Sequence, residues 1–256
     1  QWFGNLVTPS DWKYLWLNES FATYFGNGVV AYYFPQWETW QQFLWGNTGS
    51  AMARDALLEN FAIEIPGGEH VVINVSTAPI IYSKGGSILR QVEGYIGPQN
   101  FKRGLRHYLK TYQYANAASQ DLWNSLEKVS EQPIANMMKS WIEQPGFPMI
   151  SVQKQGNKLH LAQQRFTYLP ADSDQQWQLP IHIQFFSGAS KTERITFLMN
   201  SATHAIDLPD QADAYKVNDQ QTGFYIVRYR DKDNLSALGQ GVADHTLSPE
   251  DRWGLQ

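Results

Sequence analysis

The spacing of apolar residues divides the chain into two parts with different periods. Up to residue 148 they recur at helical spacing, which predicts a long buried helix that begins after the possible caps Ser10 and Asp11 and ends before Pro35. A looser region at 65–79, containing Gly and Pro, predicts a strand turn. Further helices are predicted at residues 37–58, from Tyr82 through 95 with a stop at Gly97, from Pro98 onward, at 119–130 and at 133–142.

After residue 148 the pattern changes from helical to alternating. Short β-like runs separated by Gly, Asn, Asp and Pro predict a small antiparallel sandwich. Beyond residue 231 the helical period returns, and Ser248 marks a further helix start. The predicted strands are 149–152, 159–166, 177–186, 192–198 and 214–217.

Composition and charge exclude several classes of protein. The 256 residues, 43% of them hydrophobic, are enough for a sizeable core in one large or two ordinary domains. A net charge of −4 with scattered positive residues argues against nucleic-acid binding. There is no cysteine, so a disulfide, a thiolate metal site and a cysteine nucleophile are excluded, while the compartment stays open. No apolar stretch approaches the ~18 residues that span a bilayer, so no transmembrane segment is expected in this chain.

The chain begins with the segment QWFGN at residues 1–5, and the segment WLNESFA follows at residues 16–22. Both segments resemble the M1 family of zinc aminopeptidases. In that family a His-Glu-x-x-His helix runs into a segment like the first motif, and a Glu in the second motif is the third zinc ligand. Residues 1–18 fill the family's spacing, so the resemblance places Glu19 on the ligand position.

Three later motifs extend the resemblance along the chain. The segment IYSKGGSIL at 81–89 is similar to the family's Tyr-x-Lys-Gly segment, whose tyrosine stabilises the oxyanion of the tetrahedral intermediate, and Tyr82 matches that tyrosine. The segment QPGFP at 144–148 resembles the exit from the catalytic domain, and GFYIV at 223–227 resembles the end of the small β-domain. The order and spacing of these motifs cover nearly the whole chain.

The resemblance implies a multidomain fold. Residues 1–148 would be the mainly α-helical C-terminal half of a thermolysin-like catalytic domain. Residues 149–230 would be an antiparallel β-sandwich, and 231–256 the truncated start of a C-terminal helical domain. The remainder of the same polypeptide would supply an N-terminal β domain, the His-Glu-x-x-His helix and the rest of the helical domain.

The resemblance also implies a function, that of a zinc metallo-aminopeptidase. Such an enzyme removes N-terminal residues from peptides with a free N-terminus by means of a zinc-activated water. In the intact enzyme two histidines and Glu19 would hold the zinc, and Tyr82 would stabilise the oxyanion. The implied cofactor is therefore Zn²⁺, and the implied partners are peptide substrates and the remaining domains.

Each candidate residue also has an ordinary structural interpretation. By composition alone, Glu19 would be a helix-surface or ion-paired carboxylate, and Tyr82 a core ring whose hydroxyl has a backbone partner. The flanking motifs favour the metal ligand and the oxyanion donor, and we expect both side chains to face one cavity. Gly85 and Gly86 would allow a neighbouring helix to approach closely, and Lys84 is predicted to be structural, in an ion pair.

The chain departs from the family pattern at essential positions. It has no His-Glu-x-x-His and hence no general base, and it lacks the family's Gly-x-Met-Glu-Asn-type segment, of which Asn60 is only an echo. No two histidines have the four-residue spacing of a helical zinc site. We therefore expect the isolated chain to bind zinc poorly and to be inactive. The six histidines are at positions 70, 107, 160, 182, 204 and 245.

Three interpretations remain open at this point. One is epoxide hydrolysis on the same kind of site, as in the family's bifunctional leukotriene hydrolase. Another is a non-catalytic interaction scaffold that retains the fold without the metal. Finally, the aromatic residues at 12, 16, 24, 37, 40 and 45 could form a sugar-stacking or membrane surface, but their helical spacing favours a place in the core.

Overall fold

The computed structural model describes residues 1–65 and 71–255, which form two compact units, Gln1–Gly146 and Phe147–Gln256. The predicted strand turn at 65–79 lies partly outside the described residues. Residues 71–79 form turns and the start of a helix, without a strand. The helices of the first unit are α1 (Leu15–Tyr33), α2 (Thr39–Phe43), α3 (Gly49–Asp55), α4 (Gly85–Ile96), α5 (Pro98–Tyr112), α6 (Ser119–Ser130) and α7 (Ile134–Ile142).

In residues 1–65 and 71–146, two π-helical turns interrupt the helices. One, Leu44–Thr48, joins α2 to α3, so that the chain is helical from 39 to 55, within the predicted 37–58. The other, Pro79–Lys84, leads directly into α4 and carries Tyr82. Single π-helical turns occur preferentially at functional sites. The period of apolar residues predicted helices here, but it did not predict the change of register.

The breaks between helices follow the predicted turn chemistry. Gly97 adopts a φ of +79° between α4 and α5, a conformation that favours glycine, and Pro98 occupies the first turn of α5. The bounds of α6 agree with the prediction. A short parallel pair, β1 (Val7–Pro9) with β2 (Ala115–Ala117), was not predicted, because three-residue strands carry too little alternation to be recognised.

The aromatic positions divide between the core and the surface. Trp16 and Tyr24 lie on the buried face of α1, as predicted. Trp12, Trp37 and Trp45, in contrast, are more than half exposed, so the prediction that all six aromatic residues belong to the core was wrong. Each of the three lies in or beside a short 3₁₀ or π turn, where helical spacing no longer determines which face is buried.

The described part of the second unit contains two sheets and two α-helices. The elements are β3 (Pro148–Gln155), β4 (Lys158–Arg165), β5 (Leu179–Ser187), β6 (Ser190–Met199), β7 (Thr203–Asp207), β8 (Ala214–Val217), β9 (Ile226–Tyr229), α8 (Lys232–Ala243) and α9 (Pro249–Trp253). The four-stranded sheet has the order β7-β4-β3-β9, and the three-stranded sheet the order β6-β5-β8. All five predicted strands are present; β7 and β9 were missed because each is short.

Side chains of the two sheets contact each other. His204 in β7 stacks on Phe197 in β6 with ring centroids 4.8 Å apart, and the Tyr229 hydroxyl in β9 accepts a hydrogen bond from the Val217 amide in β8. Ser248 caps α9, as predicted. Helices α8 and α9 belong to the same compact unit as the sheets. The β-sandwich assignment of 149–230 and the domain boundary at 230 stay predictions.

Candidate active site

Glu19 and Tyr82, sixty-three residues apart in the sequence, meet in the first unit. Glu19 lies in the second turn of α1, and Tyr82 lies in the π-helical turn before α4. The Tyr82 hydroxyl lies close to the Glu19 carboxylate, and both residues are partly buried. Burial raises the pKa of the Tyr82 phenol above its usual value, and the neighbouring Glu19 carboxylate raises it further.

Two glycines bring these segments together. A methyl group at Gly85 would overlap the Ser20 hydroxyl, and one at Gly86 would lie 3.2 Å from the Thr23 Cγ2. Ser20 and Thr23 follow Glu19 on α1, one and four residues after it. The predicted close approach of a neighbouring helix is therefore confirmed, and it is the reason that the Tyr82 segment can reach the Glu19 carboxylate.

A buried ion pair lies two residues beyond Tyr82. The Lys84 ammonium is 2.9 Å from the Asp55 carboxylate, and both side chains are fully buried. The same ammonium donates to the Gly146 carbonyl at 3.0 Å, and the Gly146 amide donates to Asp55 at 2.9 Å. The structural role predicted for Lys84 is confirmed. Its partner Asp55 was missed, because nothing in the sequence around Asp55 connects it with the later motif.

Asn60 has a local role within the same network. Its side-chain amide donates to the Asp55 backbone carbonyl at 3.2 Å and also contacts the Asp55 carboxylate. The Asp55 carboxylate is thus held both by Lys84 and by a residue that lies five positions after it in the sequence. The likeness of Asn60 to a substrate-binding segment has no counterpart in these contacts.

A second carboxyl group, which is partly buried, anchors the start of α1. The Trp16 indole donates to the Glu64 carboxylate at 2.8 Å, one turn before Glu19. Burial raises the pKa of Glu64, while hydrogen bonds from Ser119 and Trp16 oppose that shift. Sequence analysis missed Glu64, because its partner Trp16 is distant in the sequence and belongs to an apolar pattern.

The carboxylate of Glu19 fits the chemistry of a zinc ligand, since zinc in proteins binds carboxylate oxygen, imidazole nitrogen and thiolate sulfur. Over 1–65 and 71–255, however, no group of three or more His, Cys, Asp or Glu side chains is arranged to hold a metal ion. The arrangement therefore provides one possible ligand together with a phenol donor beside it.

The described histidines lie elsewhere in the fold. His182 is buried in β5, where its ring nitrogen contacts the Thr196 hydroxyl at 2.9 Å; burial lowers its pKa to about 4. His107 lies on α5 beside Ser125. His160 and His204 are in the four-stranded sheet. His70 lies outside the described residues.

No helix in the described part of the chain is both long enough and apolar enough to cross a membrane.

Residues 1–141 match the family model described as "Peptidase family M1 domain". Three relatives match over 255 residues, which is 100% of this chain. They are the probable aminopeptidase 2 of Sulfurisphaera tokodaii, 37% identical, the leucyl aminopeptidase of Saccharolobus solfataricus, 34% identical, and the tricorn protease-interacting factor F2 of Thermoplasma acidophilum, 36% identical. The chain spans 31% of the length of each of these relatives.

Proposed function

Because the chain belongs to peptidase family M1, we propose that it supplies part of the active site of a zinc aminopeptidase. M1 is a family of zinc metallopeptidases. The observation that carries the proposal is the close packing of the Tyr82 segment against α1, which brings the Tyr82 hydroxyl beside the Glu19 carboxylate. It brings a carboxylate of the ligand type and a phenol donor to one place, although the two residues are remote in sequence.

Glu19 is assigned the role of a zinc ligand. A catalytic zinc site uses three protein ligands, and the two others would be the histidines of a His-Glu-x-x-His segment of the polypeptide. When bound, the zinc would lower the pKa of a water molecule and polarise the substrate carbonyl. The Glu of that segment would be the general base. The isolated 256-residue chain provides one ligand and no general base, so we propose that it is inactive.

Tyr82 is assigned the role of oxyanion donor. Its hydroxyl lies beside the Glu19 carboxylate, on a segment that packs closely against α1, so the donor is in place before a substrate arrives. A donor placed in advance stabilises developing negative charge without reorganising during the reaction. The substrates would be peptides with a free N-terminal residue. In this scheme the segment that carries Tyr82 is held in place by the Lys84–Asp55 ion pair and by the close packing at the glycines 85 and 86.

The test uses a polypeptide that carries this chain together with the His-Glu-x-x-His segment. Glu19→Ala should lower zinc content together with activity, because metal affinity depends on the number of deprotonated ligands. Tyr82→Phe should retain zinc and change KM little, while kcat falls by ~10²–10³, the typical effect of removing one oxyanion donor. Zinc is measured by atomic absorption, and kinetics are measured on an aminoacyl anilide.

Matched variants separate these roles from general damage. Tyr95→Phe removes another phenol, on α4, whose hydroxyl donates to the Gln132 side chain at 2.7 Å. Glu59→Ala removes an exposed carboxylate. Both should leave zinc content and kcat within about twofold. A Tyr82→Phe enzyme that retains most of its kcat would remove Tyr82 from the mechanism. Full zinc content in Glu19→Ala would remove Glu19 from the metal site.

The same preparation tests the two competing functions. An epoxide substrate assayed beside the anilide distinguishes epoxide hydrolysis from peptide hydrolysis. The isolated chain, run as a third arm, should hydrolyse neither substrate. If the polypeptide with an intact His-Glu-x-x-His segment binds zinc and still hydrolyses neither substrate, the interaction scaffold becomes the better interpretation.

A further inference from the structure

The Tyr82 segment departs from α-helical hydrogen bonding where it joins α4. The Gly85 amide donates to the carbonyls of Ile80 and Tyr82. It passes over the Ile81 carbonyl, which would be its partner in an α-helix. The hydroxyl of Ser20, from α1, donates to that carbonyl at 2.8 Å. We propose that Ser20 is a positioning residue that keeps the π-helical register and thereby directs the Tyr82 hydroxyl to Glu19; this rests on the proposed function of Tyr82.

The site around this hydrogen bond is closely packed. Ser20 is fully buried, and Ile81 is 3% exposed. The Ser20 hydroxyl lies so close to Gly85 that a methyl group there would overlap it. The donor to the Ile81 carbonyl from α1 is therefore a closely packed, buried hydroxyl. A buried carbonyl that loses its donor favours any register in which a backbone amide takes its place.

The register determines where Tyr82 points. Successive residues of an α-helix are separated by about 100° around the axis, and a π turn inserts one extra residue into that sequence. If the turn relaxed to α-helical bonding, the Gly85 amide would bond to the Ile81 carbonyl, and residues before it would rotate relative to α4. The Tyr82 hydroxyl would then leave the Glu19 carboxylate, although Tyr82 itself is unchanged.

Ser20 also links the two assigned residues by position. It follows Glu19 directly on α1, and its partner Ile81 directly precedes Tyr82. The hydrogen bond therefore joins the immediate neighbours of the ligand and the donor. The side chain itself points to a backbone carbonyl, so the proposed action of Ser20 on the reaction is through Tyr82 and not through the substrate.

The experiment is a double-mutant cycle between Ser20→Ala and Tyr82→Phe in the polypeptide that carries the His-Glu-x-x-His segment. Ser20→Ala alone should lower kcat by about 10- to 100-fold, the range expected for a misplaced catalytic group. KM and zinc content should stay within about twofold. In the Tyr82→Phe background the same change should alter kcat by less than about twofold, because the group that Ser20 positions is already absent.

Two further variants keep the proposal testable if Ser20→Ala folds poorly. Ser20→Cys retains a weak donor at the same place and should give a kcat between those of the wild type and Ser20→Ala. Ser125→Ala is the matched control, since Ser125 is also buried and donates to the Asp121 carbonyl at 2.8 Å within α6; it should leave kcat unchanged.

The outcomes separate the two proposals. If Tyr82→Phe loses kcat but the effects of Ser20→Ala and Tyr82→Phe multiply, the positioning role of Ser20 is wrong and the role of Tyr82 stands. If Tyr82→Phe retains kcat, the proposed function of Tyr82 fails and the positioning role fails with it. A loss of zinc in Ser20→Ala would also overturn the proposal, since the effect would then act through Glu19.

Discussion

Replacing Lys84 by methionine tests how strongly the Tyr82 segment is held. The change keeps most of the side-chain volume and removes the ammonium, which is 2.9 Å from Asp55 with both side chains fully buried. Asp55 then remains as a buried carboxylate without its counter-ion. Breaking a buried pair from one side typically costs about 3–5 kcal/mol, because the remaining charge is uncompensated.

A second loss accompanies the first. The Gly146 carbonyl, which accepts from Lys84 at 3.0 Å, loses that donor. An unsatisfied buried acceptor costs about 1–3 kcal/mol, but the two losses share one site and are not additive. We therefore expect Lys84→Met to lower the free energy of unfolding by about 3–5 kcal/mol. Against a typical total of about 5–15 kcal/mol, this is a large fraction.

The matched control is an exposed ion pair of the same type. Lys158 and Asp207 are 2.6 Å apart, but their side chains are 52% and 76% exposed. Lys158→Met should cost about 0–1 kcal/mol, since water screens and replaces that interaction. The two variants thus make the same chemical change and differ in burial.

Urea unfolding, monitored by circular dichroism, provides the assay. Hydrogen exchange of the α4 amides assigns the loss of stability to the first unit. A double variant, Lys84→Met with Asp55→Asn, removes both charges and leaves an acceptor for the Gly146 amide. It should recover a substantial part of the loss. If Lys84→Met costs no more than Lys158→Met, or if the double variant is as unstable as the single one, the assignment of a strong buried pair is wrong.

Two other predictions concern backbone packing and pH. Gly85→Ala should destabilise the first unit and displace the Tyr82 segment, because a methyl group there would overlap the Ser20 hydroxyl. The control is Gly26→Ala in α1, where no atom lies within 4 Å of the added group; it should stabilise the protein by about 0.5–1 kcal/mol. Equal effects of the two changes in thermal unfolding would contradict this. His182 has a folded-state pKa of about 4, lowered from 6.5 by burial. Above pH 6.5 it is neutral in both states; as the pH falls toward 4 only the unfolded state binds the proton, so about 3 kcal/mol of stability is lost. Urea titrations at pH 7 and pH 4 should show a smaller loss for His182→Gln, and an equal loss would exclude His182 as the cause.

Local sequence patterns were sufficient to predict the helical elements of the first unit and most strands of the second. The long apolar helix, the stop at Gly97 and the start at Ser248 depend on local spacing and on single residues with special backbone or capping properties. Such information lies within a few neighbours along the chain. The motifs around Glu19 and Tyr82 also selected the family, because their order and spacing are readable without coordinates.

Which distant residues become partners depends on how the helices pack. Asp55 with Lys84, and Glu64 with Trp16, are pairs whose members lie far apart in the sequence, and no local pattern connects them. The π-helical register of the Tyr82 turn is of the same kind, since apolar periodicity cannot distinguish it from an α-helical turn. The Ser20 hydroxyl on α1 donates to the Ile81 carbonyl, to which the Gly85 amide does not bond in the π register. Such a partner exists only once α1 and α4 have packed.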